Sequence, residues 1–131
     1  MPDYNDERPP KVQPKLKGTP KIKRMYWCEF PSDAQLPELW KTRPVIILSF
    51  RNKLHGAVTV IPCSTMPQDD NKWAVKLTQS FQGVPQWAVC DKITTVAVSR
   101  LWPDKGGIIV VKQDEFDEIL STVLDWIPKP I

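Results

Sequence analysis

Lys41-Thr-Arg-Pro-Val-Ile-Ile-Leu-Ser49 opens on two charges and a proline, then runs through four apolar residues, three of them β-branched. Such a run reads as a buried strand, because β-branched side chains suit a pleated surface and proline is tolerated at a strand's first position. It predicts a strand over residues 44–50. Two other segments share its design. Val60-Ile-Pro-Cys-Ser-Thr65 and Val89-Cys-Asp-Lys-Ile-Thr-Thr-Val96 also join polar groups to apolar runs, Ser64 and Thr65 in one and Asp91 in the other, as Arg43 does in the first. Strand ends hand the chain to loops, where side chains distant in sequence gather into one site.

Working outward, residues 25–30 (Met-Tyr-Trp-Cys-Glu-Phe) form a short aromatic strand stopped by Pro31, and residues 31–41 a long loop. The turn Arg51-Asn-Lys-Leu-His-Gly56 leads into a hairpin partner over residues 57–61, and a loop follows over 62–72. Trp73-Ala-Val-Lys-Leu77 alternates like a half-buried strand, residues 86–98 read as one long strand bent near Asp91, and residues 108–112 as another. Phe116, Ile119, Leu120, Val123, Leu124 and Ile127 recur at three and four, the signature of an amphipathic helix. Asp114, Glu115, Asp117 and Glu118 load its first turns, where the dipole favours acids, and Pro128 stops it. The expected fold class is mainly β with a C-terminal helix: a small barrel or strongly curved sheet with a helical lid.

A length of 131 residues suits one domain with a single core. The net charge of +3 is unevenly held, since residues 1–24 carry seven of the 18 basic residues but three of the 15 acidic ones, together with five prolines. This stretch reads as a disordered Pro/Lys-rich basic arm ahead of a folded domain over 25–131, suited either to a phosphate polyanion or to plain solvation. Cys28, Cys63 and Cys90 lie in apolar stretches without a C-x-x-C pair, the pattern of buried thiols in a reducing cytoplasm. No apolar run is long enough for a bilayer, so a cytoplasmic protein without a membrane partner is expected. The single histidine, His55, excludes a two-histidine ribonuclease centre and a histidine-rich metal site; no metal and no cofactor are expected.

Arg43 beside Pro44 offers a planar fork of donors to a phosphate, or else pairs with Glu38 or Asp33 on the surface. Ser64 and Thr65 offer hydroxyls to a phosphate or ribose, or cap a turn. Asp91 within an apolar run needs a partner, for which Arg43, Arg100 and the hydroxyls are candidates. Trp27 and Trp40 are positioned to stack on bases, whereas Trp73, Trp87, Trp102 and Trp126 read as core or subunit interface.

In this order and spacing the segments resemble the MazF/PemK toxins of type II toxin-antitoxin systems. Residues 25–30 match the opening strand of that family. Glu38, Lys41, Arg43, Pro44, Val45 and Ser49 around the apolar residues 46–48 match its signature, residues 61–65 its hydroxyl segment, and residues 90–100 its acid-bearing strand. The resemblance spans residues 25–127 and implies the SH3-like small β-barrel of the MazF/Kid/CcdB toxin fold, paired as a homodimer with RNA grooved along the interface.

It also implies an mRNA interferase, a metal-independent endoribonuclease that cuts single-stranded RNA through a 2′,3′-cyclic phosphate and so stops translation and growth. Arg43, Ser64, Thr65 and Asp91 match its catalytic positions, and Lys41, His55, Lys92 and Arg100 are the groups expected to touch RNA. A cognate antitoxin protein is the implied second partner. The chain departs from the family at Ser64, where threonine is usual, and at Val89, where some members carry a second arginine, so that Lys92 or Arg100 would stand in. A gyrase-binding toxin and a non-catalytic RNA-binding regulator are the alternatives within the same superfamily.

Overall fold

Three antiparallel strands, β1 (Arg24–Glu29), β2 (Thr42–Ile47) and β3 (Ala57–Ser64), lie at the centre of the computed structural model, which describes residues 8–79 and 83–131. Trp27 faces Pro44 across the first pair and Ile46 faces Ile61 across the second. Their alternating side chains feed two cores. On one face Met25, Ile46, Ile61 and Cys63 pack with Phe116, Ile119 and Val123. On the other, Tyr26, Cys28, Val45, Ile47, Val58 and Val60 pack with Val98 and Leu101. Both faces of the sheet are covered, which is why residues 45–48 read as continuously apolar rather than alternating.

The remaining elements are β4 (Ala74–Leu77), β5 (Gln86–Val89), β6 (Thr94–Ala97), β7 (Leu101–Trp102), β8 (Ile109–Val110) and α1 (Gln113–Trp126). Strands run in the order β4-β5-β3-β2-β1-β7, with β6 on β3 and β8 on β1. The fold is mainly β with a C-terminal helix, as expected, and the hydrogen-bonded path does not close into a ring.

The single strand expected over 86–98 is two strands joined by a 3-10 turn at Cys90–Lys92. Ala88 faces Cys63, yet six residues later Thr94 faces Val60, only three residues along β3. The turn absorbs the surplus, and it lifts Asp91 out of the ladder as a bulge does. β3 correspondingly outruns its expected end at residue 61, since Cys63 and Ser64 gain β5 as a neighbour. Two prolines sit inside strands. Pairing of β2 with β3 begins only at Val45, so Pro44 stands where β2 is open on that side. Pro62 falls between the stretch paired to β6 and the stretch paired to β5. A residue without an N–H is tolerated at both places.

Residues 8–22 form neither strand nor helix. Leu16 from this stretch joins the second core, and Lys15 donates to the Ser99 carbonyl while lying 5.5 Å from the Trp102 ring centroid. Residues 1–7 of the expected arm fall outside the described residues. Of the tryptophans expected in the core or a subunit interface, Trp73 and Trp87 lie partly exposed with Lys72 and Lys76 over their rings, and Trp126 is exposed, so the core is not where they sit. Among the described residues no helix is long and apolar enough to cross a membrane.

Glu115 does more than complement the helix dipole. It is buried, and its two carboxylate oxygens accept from the Thr78 backbone N–H at 2.8 Å and the Thr78 hydroxyl at 2.6 Å, pinning the end of β4 to α1. Glu115→Ala is expected to cost about 2 kcal/mol in a urea titration, because two donors lose a charged acceptor; a loss below about 0.5 kcal/mol would mean water replaces it.

The three cysteines are free and buried. Burial pushes the Cys28 and Cys90 thiols from 9.0 up to about 12 and moves Cys63 in the same direction. A raised pKa keeps the folded thiol neutral, so the stability these groups contribute is complete below pH 9 and is lost as pH rises from there toward 12. Alkylation by iodoacetamide at pH 8 is expected to be at least about tenfold slower in the native protein than in urea. Equal rates would show the thiols open to solvent.

Candidate active site

Register places the first two site residues. Val45 faces Pro62 in the last pair of the β2–β3 ladder, and Arg43 and Ser64 each follow two residues beyond it, on the same side of their strands as that pair. Both strands end there and open into a cleft of about 440 Å³. Lys41, Arg43, Ser64, Thr65 and Lys92 all line it, with Trp27 and Trp40 among its walls. Three cations and no carboxylate line this space, an arrangement that favours an anion.

Arg43 is half-buried, and its Nε donates to the Trp40 carbonyl at 3.0 Å, which aims the guanidinium. Neither Asp33 nor Glu38 pairs with it; Glu38 instead accepts from the Gln35 N–H. Burial lowers the Arg43 pKa from its ordinary value. Ser64 is buried, and its Oγ accepts from the Met66 N–H at 3.1 Å, so the hydroxyl does cap a turn. That bond uses a lone pair and leaves the hydroxyl hydrogen to donate. Thr65 is exposed beside it.

Lys41 takes a left-handed backbone (φ 58°), unusual for a residue with a side chain, and its ammonium lies 5.2 Å from the Trp40 ring centroid. Lys92 donates to the Pro37 carbonyl at 3.2 Å, tying the 31–41 loop to the rim. Trp27 donates from Nε1 to Asp104 at 2.9 Å, and this bond lowers the Asp104 pKa.

Other expected site residues lie elsewhere. Asp91 does not line the cleft, and its partner is Asn71, whose Nδ2 donates to Oδ1 at 3.3 Å, rather than Arg43, Arg100 or a hydroxyl. His55 is exposed and borders a separate hollow with Pro10, Lys11 and Ser99. Arg100 donates to the Glu29 carbonyl at 3.2 Å, away from the cleft. Asp91 lies in the 3-10 turn at Cys90–Lys92 and Arg100 in that at Val98–Arg100, both off the strand ladder expected to carry them.

Sequence reasoning missed Gln68 and Gln86, which line the cleft, and Asn71, which organises the loop beneath it. Asn71 also donates to Gln68 Oε1 at 3.3 Å, and its own Oδ1 accepts from the Trp73 N–H. Gln68 and Asn71 are polar residues in a loop and carry no periodic signal, and Gln86 opens a strand, where only the pairing of β5 with β3 sets it beside the cleft. Among the described residues, no group of three or more His, Cys, Asp and Glu side chains is arranged to hold a metal ion.

A family model described as PemK-like, MazF-like toxin of type II toxin-antitoxin system matches residues 23–127. No curated protein sequence matches the chain. Similar solved structures include MazF from Deinococcus radiodurans, at 18% identity and TM-score 0.67, covering 82% of this chain and 96% of that one. An endoribonuclease in complex with its cognate antitoxin from a mycobacterial species is 19% identical with TM-score 0.58, covering 85% and 99%. The Mycobacterium tuberculosis toxin MazF-mt6 is 20% identical with TM-score 0.53, covering 68% and 89%. At such identities the likeness is one of fold.

Removing Asn71 leaves Asp91 and the 66–73 loop without their common partner. Asn71→Ala is expected to cost about 1–2 kcal/mol and to speed amide exchange across residues 66–73 several-fold. Unchanged exchange would show that the loop is held by other contacts.

Proposed function

The chain belongs to the PemK-like, MazF-like toxins of type II toxin-antitoxin systems, and from that premise we propose that it is an endoribonuclease cutting single-stranded RNA at short sequences without a metal ion. The observation that carries this reading is that Arg43 and Ser64 line one cleft with cations and no acid around them. In the proposed reaction the ribose 2′-hydroxyl gives its proton to solvent and attacks the adjacent phosphorus, the P–O5′ bond breaks, and O5′ takes up a proton from Arg43, which solvent then restores. A 2′,3′-cyclic phosphate and a 5′-hydroxyl result.

Arg43 has the fork and the half-buried setting to stabilise the doubly charged phosphorane. Its lowered pKa is the direction needed to hand a proton to the departing O5′. The Ser64 hydroxyl, held by Met66 with its hydrogen free, donates to a phosphoryl oxygen, and Thr65 stands beside it as a second hydroxyl. Lys41 and Lys92 draw in the neighbouring phosphates. Asp91 acts as a positioning residue through Asn71. His55 and Arg100 have no part in the proposed cleft.

The proposal extends to a homodimer restrained by a cognate antitoxin. Its support is the family together with the D. radiodurans MazE-MazF and mycobacterial endoribonuclease–antitoxin structures that share the fold. A disordered antitoxin segment with acidic groups would suit the cationic cleft.

Purified protein incubated with long single-stranded RNA in EDTA is expected to yield discrete cuts with cyclic phosphate and 5′-hydroxyl ends. Arg43→Ala is expected to slow cutting on the order of 10² to 10³-fold, Arg43→Lys to restore little because it lacks the planar fork, and Ser64→Ala to fall between. Equal cutting by wild type and Arg43→Ala would remove Arg43 from the chemistry, and no cutting by folded wild type would remove the ribonuclease reading.

A further inference from the structure

Gln86 opens β5 and is only 3% exposed, yet its Oε1 has no hydrogen-bond donor, the only such buried side-chain atom among the described residues. Ser64 faces Trp87 in the β3–β5 ladder, which sets Gln86 across from Thr65. The next residue on its face, Ala88, belongs to the helix-side core, so the amide is buried where that core ends and the cleft begins. A buried carbonyl oxygen without a donor costs stability, and an apolar residue of the same length would remove the cost. No internal contact accounts for a glutamine there.

On the reading of the cleft as an RNA-cleaving site, we propose that Gln86 is a specificity-determining residue whose amide binds the edge of one nucleobase of single-stranded RNA. Oε1 accepts a base N–H and Nε2 donates to the neighbouring ring nitrogen or carbonyl, the adjacent donor and acceptor that base edges offer. Phosphodiester oxygens carry no hydrogen and cannot satisfy Oε1. The last torsion of glutamine is soft, so a small turn brings the oxygen to the cleft. Trp27 and Trp40, on the walls of the same cleft, supply faces on which the base stacks.

A random-sequence single-stranded RNA library, cut in EDTA and sequenced at the new ends, tests this. Wild type is expected to prefer one base at a position flanking the cut, and Gln86→Met to reduce that preference about tenfold. Gln86→Glu, which keeps the acceptors and loses the donor, is expected to retain the part of the preference that rests on a base N–H and to lose the part that rests on the neighbouring ring nitrogen or carbonyl. The same base preferences in wild type and Gln86→Met overturn the proposal, and a lower melting temperature alongside them would make Gln86 a structural residue.

Selecting the same library for binding to Arg43→Ala, with and without Gln86→Met, separates this proposal from the ribonuclease reading. Should wild type fail to cut, that reading falls. A binding preference erased by Gln86→Met then still upholds the role of Gln86, and no preference in either variant overturns it.

Discussion

The change of neighbours along one side of β3 is the constraint on which the molecule depends. β3 keeps β2 beside it from Val60 to Pro62, while its other side passes from β6, ending at Val60, to β5, starting at Cys63. The two unpaired positions between are Ile61 and Pro62, and the proline removes a donor where the ladder needs none. Because β5 and β6 are consecutive in the chain, the same interruption forces the 3-10 turn at Cys90–Lys92. Cys63 and Ser64 are thus held by β5 after β2 has left the ladder, so the Ser64 hydroxyl sits at a paired strand end instead of in a loop.

Around that end the local rules of a stable fold are broken together. Lys41 adopts a left-handed backbone, Arg43 is half-buried without a carboxylate, and Gln86 buries an oxygen without a donor. Three cations share one cleft with no acid to balance them. Each arrangement is unfavourable for folding, and the unbalanced cations favour an anion in the cleft. The two cores on either face of the sheet and the Glu115–Thr78 link between strand and helix supply the stability against which such a site can be held.

Much of this was legible in the residues. The apolar runs around Val45 and Val60 announced central strands, the three-and-four spacing from Phe116 to Ile127 announced the helix, and Arg43 with Ser64 and Thr65 were recognisable as strand-end groups. Asp91 lies in a 3-10 turn and not in the strand expected of it, because a strand and a bulged turn containing one carboxylate look alike in sequence. Its partner Asn71, twenty residues away, came from a loop with no pattern at all. Trp73, Trp87 and Trp102, expected in the core or a subunit interface, lie partly exposed in the single chain with lysine ammonium groups over their rings.

By itself the sequence determined what depends on near neighbours in the chain: which stretches extend, which one coils, where prolines and acids end an element, and which thiols are buried. Those follow from periodicity and backbone sterics over a few residues. Only the tertiary structure decided which strand ends meet. Whether Arg43 and Ser64 line one cleft, whether His55 and Arg100 reach the cleft, and whether Gln86 finds a donor all turn on strand register, and a shift of one residue would exchange every one of those side chains between the two faces of the sheet.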